Sequence, residues 1–182
     1  MGYLLFTLCS ILFSHLCTIG GTGGVFEEEI SEAIVIKRQE KTTHLHFYFH
    51  DIVSGENATS VRIAGGGGFG MTMMADDALT EGPEPSSKVV GRAQGLYALA
   101  AQHEFALLMV MNFAFTEGSG NYSGSSISIL GRNPIGDDVR EMPIVGGSGQ
   151  FRLATGYALA HTVWFDQSGD ATVEYNVYVS HY

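Results

Sequence analysis

From Thr43 to Val53 the chain reads T-H-L-H-F-Y-F-H-D-I-V, with Leu45, Phe47, Phe49, Asp51 and Val53 on one parity and His44, His46, Tyr48, His50 and Ile52 on the other. Successive strand side chains point to opposite faces, so this alternation predicts a strand with one apolar face. That face ends in a carboxylate. Asp51 is thereby aimed at the interior, where it needs a buried partner or a raised pKa. The alternative is a strand that has already reached solvent, with Asp51 capping the turn at Ser54-Gly55-Glu56-Asn57. The pattern itself leaves both readings open.

Further short β-type segments follow, separated by turn signals: Ser60 to Ala64, Phe69 to Ala75, Lys88 to Leu99, Glu104 to Thr116, Ser125 to Leu130, Val139 to Ile144, Phe151 to Phe165 and Ala171 to Tyr182. Regular strands without helical periodicity predict an antiparallel sandwich or barrel, here one domain over residues 43–182. Gly82-Pro83-Glu84-Pro85-Ser86-Ser87 reads as a loop. The stretch Phe105 to Phe115 is apolar on both parities, so a strand there must be covered on both faces. A small barrel has one interior, which leaves the outer face for a second copy of the chain and predicts a homo-oligomer. A buried helix is the competing reading; Phe and Val density and the Gly-rich flanks favour the strand.

Composition narrows the setting. The chain has 182 residues, 45% of them hydrophobic, and 24 glycines, which fits one β-rich globular domain and argues against a helical bundle. Residues 1–20 form an apolar run followed by small residues, shaped like a secretory signal and too short to span a bilayer. The expected organisation is a signal peptide over 1–22, a charged arm over 23–42 and the barrel beyond. The mature protein is expected to be secreted, with no membrane span. Cys9 and Cys17 both lie in the leader, so the mature chain holds no disulfide and no Cys-ligated zinc. Asn57-Ala58-Thr59 and Asn121-Tyr122-Ser123 are glycosylation sequons, expected at Asn57 and Asn121 in Gly/Ser-rich turns. The net charge of -10 argues against nucleic acid and anionic membranes as partners.

The remaining candidates divide quickly. His44, His46 and His50 share a strand face but spread over too long a span for a metal site, so a solvated or interface-facing polar surface is expected and no metal. Gly65 to Gly68 lacks the Lys and helix of a phosphate loop and reads as a rim loop. No nucleophile elbow is present. Asp76-Asp77 precedes a turn and reads as solvated rim, and Arg92 as a structural ion-pair partner. Arg140 lies in a β segment before Gly146-Gly147-Ser148-Gly149, where its planar fork either holds a phenolate or carboxylate in a pocket or pairs at the surface.

Several separated motifs then occur in one order: F-Y-F-H-D-I (47–52) with the N-A-T sequon after it, V-G-R-A-Q-G-L-Y (90–97), S-I-L-G-R-N-P (128–134), R-E-M-P-I-V-G-G-S-G-Q-F-R (140–152) and the closing E-Y-N-V-Y-V-S-H-Y. Together they resemble the plant dirigent proteins over nearly the whole mature chain. The resemblance implies an eight-stranded antiparallel β-barrel of the allene oxide cyclase-like kind, homotrimeric, secreted to the apoplast, with one pocket and no metal or organic cofactor. It carries catalytic roles to Asp51, Tyr97 and Arg140 and substrate contact to Phe49 and Asn133. Lignan-forming members have an aspartate where this chain has Asn133, and usually a cysteine pair that is missing here. The form of residues 74–84 looks like the pterocarpan synthase-like branch.

The resemblance implies stereoselective chemistry on phenolics, in one of two forms. In the first, phenoxy radicals supplied by a separate laccase or peroxidase couple in the barrel, which has no redox activity of its own and sets handedness by orientation. In the second, a benzylic alcohol loses water to give a quinone methide and a phenol closes a ring, making the protein a cofactor-free hydro-lyase or cyclase. Asp51 would act as general acid there, with Arg140 and Tyr97 steadying phenolate charge. A non-catalytic barrel that binds phenolics is a third reading from another class.

Overall fold

The computed structural model describes residues 39–182. The expected signal segment and its cysteines, and most of the expected arm, lie outside the described residues. Nine strands follow: β1 (Lys41–Asp51), β2 (Ser60–Ala64), β3 (Thr72–Thr80), β4 (Val89–Leu99), β5 (Ala106–Phe115), β6 (Ser126–Pro134), β7 (Arg140–Ser148), β8 (Thr155–Phe165) and β9 (Ala171–His181). Short 3₁₀ segments lie at Glu117–Tyr122 and Gly149–Phe151. Hydrogen bonding runs β1-β9-β8-β7-β6-β5-β4-β3, and β1 returns to β3. The result is a closed antiparallel ring of eight strands, the expected barrel. β2 pairs with β3 alone, along Thr72–Ala75, the part of that edge that β1 does not reach. The closing seam is short: Tyr48 opposite Thr80, Phe49 opposite Leu79 and His50 opposite Ala78.

The alternation in sequence becomes inside and outside. On β5, Met109, Met111, Phe113 and Phe115 are buried, while Leu108 and Val110 stay exposed on the outer wall. This segment is a strand, as its Phe and Val content predicts. An apolar row crosses that outer wall through successive cross-strand partners, Met74 to Leu96 to Val110 to Leu130.

Several segment ends differ from the sequence reading; β3 begins at Thr72 rather than Phe69, and β6 runs on to Pro134 rather than stopping at Leu130. β3 does not stop at Ala75 but continues through Asp76 and Asp77 to Thr80, because Asp76 pairs with Gln94 and Asp77 with Ala93 in an unbroken ladder. β7 continues through Gly146 and Gly147, which pair with Ser128 and Ile127, and the register shift between Ser128 and Ile129 leaves Val145 as the extra residue of a bulge rather than a turn. Gly146, at φ +157, takes a conformation that L side chains rarely adopt. Finally, Phe151 belongs to a 3₁₀ segment, so the strand expected from there begins at Thr155.

One end of the barrel is filled. Phe47 meets Phe113 edge-on with ring centroids 5.1 Å apart, Phe113 meets Tyr175 at 5.1 Å, and Phe115 leans on Phe151 at 5.7 Å. Tyr122 stacks on Phe151 from the 3₁₀ segment at 5.0 Å. Ile127, Ile129, Val177 and Val179 complete this packing with almost no exposure. The other end stays open.

Candidate functional site

The open end holds a cavity of about 880 Å³ lined by Phe49, Asp51, Met73, Tyr97, Met109, Asn133, Arg140 and Tyr175 among others. Its walls are mostly apolar and its polar groups few, the usual character of a small-molecule site. Phe49 and Tyr97 are buried and Asp51 is half-buried. Strand parity therefore places Asp51 inward, and the surface-cap alternative does not hold. Turn chemistry at the end of β1 falls instead to Asp170, whose carboxylate accepts the Val53 and Ser54 backbone N–H groups at 2.8 and 3.0 Å and the Ser54 hydroxyl at 2.8 Å.

Burial raises the Asp51 pKa, the nearby Ser60 and Tyr97 hydroxyls pull it partly back, and the Asp170 charge pushes it up again. Neither hydroxyl completes an aligned bond to Oδ1, which is buried without a hydrogen-bond partner. An acceptor in that state favours the protonated form. Tyr97 is pushed far above the ordinary tyrosine range by burial first and the Asp51 charge second, so it is a neutral phenol donor at any working pH. Tyr175 is raised likewise, chiefly by burial.

The expectation of a solvated Asp76-Asp77 rim is corrected by half. Asp76 is exposed and binds Arg92 Nε at 2.9 Å, the structural ion pair expected of Arg92. Asp77 faces the interior and is 0% exposed. Its partners are hydroxyls, Thr59 at Oδ1 and Ser60 at 3.3 and 3.2 Å. Its pKa is pushed up to about 7, first by burial and then by the Asp51 charge. The signal that would have found it was present: Met73, Ala75, Asp77 and Leu79 continue one parity, but the following turn residues outweighed it.

Arg140 is buried at the start of β7, so the surface-pair alternative fails. Nε donates to Asn133 Oδ1 at 3.1 Å, Nη2 to Thr162 Oγ1 at 2.9 Å, and Nη1 reaches the Asp138 carbonyl at 3.5 Å. All of these acceptors are neutral. Burial lowers its pKa somewhat, yet guanidinium keeps its charge, and the cavity thus contains a cation that no hydrogen-bonded carboxylate neutralises. Asn133, also buried, orients Arg140 by its amide oxygen, a role that its seven-residue separation across the β6–β7 hairpin did not reveal.

The other candidates lie elsewhere. His44 and His46 are on the outer wall, bonded to Asn176 at 2.9 Å and Glu174 at 2.7 Å. His50 does not share that exposed face: at the β1–β3 seam it is 3% exposed, with Nε2 2.7 Å from Thr80 Oγ1 and Nδ1 3.2 Å from Thr172 Oγ1. The Thr80 hydroxyl donates to the Gly82 carbonyl, so it accepts from Nε2–H and leaves Nδ1 to accept from Thr172. Among the described residues no group of His, Cys, Asp and Glu has the arrangement of a metal site. Asn57 and Asn121 are both at exposed positions.

The sequence profile described as Dirigent-like protein matches residues 42–180. Dirigent protein 21 of Arabidopsis thaliana is 54% identical over 152 residues, covering 79% of each chain. Pterocarpan synthase 1 of Glycine max is 51% identical over 154 residues, covering 80% of this chain and 82% of that one. The solved structure of the pterocarpan synthase dirigent protein PsPTS1 superposes with a TM-score of 0.76 at 49% identity, covering 80% of this chain and 99% of the other.

Proposed function

We propose that this chain, which belongs to the dirigent-like protein family, controls the stereochemistry of a plant phenolic by dehydrating a benzylic alcohol to a quinone methide and guiding a neighbouring phenol onto it. The reading is carried by one observation: the cavity contains an acid whose pKa burial raises, Asp51, together with Arg140, a cation bonded only to neutral groups. A hydroxyl is a poor leaving group until protonated, and a phenol becomes an electron source as it loses its proton. Asp51 supplies the first proton and Arg140, with the Tyr97 hydroxyl, receives the developing phenolate charge. The apolar walls keep water from the quinone methide. No cofactor enters this scheme. The names of the Glycine max relative and of the solved structure favour this chemistry.

A second reading, radical coupling with an oxidase as the radical source, is favoured by volume. About 880 Å³ lies near the upper end of small-molecule cavities and has room for two single-ring phenols side by side. Incubation with an isoflavanol alone, and separately with coniferyl alcohol plus a laccase, followed by chiral chromatography, tests both. An optically active ring-closed product in the first arm supports dehydration. Product only in the second arm transfers the function to coupling, and binding without product in either leaves a carrier.

The same proposal places the protein in the apoplast, after removal of residues 1–22, as a homotrimer. The exposed row through Met74, Leu96, Val110 and Leu130 is the surface offered to the other copies. Val110→Lys should yield monomers in sedimentation; an unchanged assembly, or a monomeric parent, would refute it.

A further inference from the structure

Beside Asp51 lies a polar cluster of Thr59, Ser60 and Asp77 that the reaction as written does not use, with Ser60 at the cavity wall. Asp77 does not line the cavity. It has no charged hydrogen-bond partner: its bonds come from Thr59 and Ser60, and Arg92 is committed to Asp76 on the outer surface. The Ser60 hydroxyl also approaches Asp51 and Tyr97. We infer that Asp77 stores the proton that Asp51 delivers, and that the Ser60 hydroxyl passes it between the two carboxyl groups.

Hydrogen counting leads to this arrangement. The Thr59 oxygen accepts the Ile52 backbone N–H at 3.3 Å, so its own hydrogen goes to Asp77 Oδ1. The Ser60 oxygen, 1% exposed, has one hydrogen and neighbours two carboxyl groups. If that hydrogen points to Asp51, the Asp77–Ser60 contact lacks a hydrogen unless Asp77 itself is protonated. If it points to Asp77, Asp51 has only the Tyr97 hydroxyl to bind it, and Oδ1 stays without a partner. Two ionised carboxylates here would share three hydroxyl hydrogens and no bonded cation, with Asp77 itself fully buried. Like charges so placed hold a proton in common. Burial and the Asp51 charge push Asp77 toward the protonated form, and the Thr59 and Ser60 hydroxyls and then the Arg92 charge pull it partly back.

The inference rests on the dehydration reading for its catalytic consequence, and the proton balance then closes. Asp51 Oδ–H protonates the leaving hydroxyl, the C–O bond breaks with its electron pair and water departs. The substrate's para phenol loses its proton to solvent as the quinone methide forms. The proton given to the leaving hydroxyl reaches Asp51 from Asp77 through Ser60, so both carboxyl groups are ionised once it has been given. On ring closure the attacking phenol gives its proton to the Asp51–Asp77 pair, while the quinone methide oxygen regains one from solvent. The net change is loss of one water. Asp77 touches no substrate and is a positioning residue for the proton.

Two measurements test it. Infrared difference titration of the substrate-free protein should show a carboxylic-acid C=O band that persists to about pH 7, vanishes in Asp77→Asn, and titrates at lower pH in Asp51→Asn because the repelling charge is gone. A band unaltered in Asp77→Asn overturns the inference, whatever the substrate proves to be. In turnover, Asp77→Asn should lower kcat about 100-fold with KM unchanged and move the alkaline limb of the pH profile. Ser60→Ala should behave likewise, and Ser60→Thr should recover. Full activity in Asp77→Asn or Ser60→Ala, beside a dead Asp51→Asn, refutes the relay. If the parent protein turns over no benzylic alcohol, the dehydration reading fails and the infrared titration alone decides where the proton resides.

Discussion

The two ends of the barrel are built from the same strands by the same alternation, and they do opposite things with it. At the closed end the inward positions of β1, β5 and β9 are Phe47, Phe113, Phe115 and Tyr175, whose rings fill the interior against Phe151. At the open end the inward positions of β1, β3, β4 and β7 are Asp51, Met73, Tyr97 and Arg140, which fill it incompletely and leave about 880 Å³. Aromatic packing adds stability through area removed from water and ring geometry. Buried acids subtract from it, since a carboxyl with a raised pKa is less stable in the folded protein than in the unfolded chain at neutral pH. The difference teaches that stability and chemistry are segregated along the barrel axis.

The sharpest way to break that comparison is Asp51→Asn, expected to reduce ring closure by about 10²- to 10⁴-fold while the unfolding midpoint in urea holds or rises. A loss of stability to match the loss of rate would show that the open end is structural after all. Phe113→Ala is the reverse experiment. It should cost about 3–5 kcal/mol by removing a ring that is 0% exposed, and urea melts should register it while residual folded protein turns over normally.

Next in size is the pH dependence of stability. Asp77 has a folded pKa of about 7 against 3.8 for an unperturbed aspartate, so below pH 4 folded and unfolded chains both bind the proton and nothing is lost. As pH rises from 4 to 7 the unfolded chain releases it first and stability falls, by on the order of 1–4 kcal/mol. Asp77→Asn should flatten that slope in thermal melts at stepped pH. A slope unchanged by the substitution would assign it elsewhere. The smallest effect concerns Asn133. Asn133→Asp places a carboxylate on Arg140 Nε and neutralises the cation, which should slow dehydration roughly tenfold with little change in melting temperature.

Much of this layout was legible in the chain, for reasons particular residues make plain. Period-two alternation over residues 43–53 puts Asp51 on the apolar parity but leaves open whether the strand has reached solvent there, and the cavity settles that. Strand ends themselves were less legible. Asp77 was assigned to a rim since two adjacent acids before Leu79-Thr80-Glu81-Gly82 look like a turn entry, and only pairing with Ala93 shows the strand continuing. His50 looked like its neighbours His44 and His46 on parity alone. Its burial arises from the β1–β3 closure, a contact between residues 30 positions apart that no local window contains. The Arg140 environment is long-range in the same way, with Thr162 arriving from β8.

The uncancelled guanidinium has a consequence for timing. A phenol that enters intact and a ring-closed product that leaves intact are both uncharged, so neither gains much from Arg140. Only the short-lived anionic species between them is gripped. On the proposed chemistry the pocket holds its cargo tightly for the moment of bond making and lets go when the charge disappears, a release mechanism that requires no moving lid.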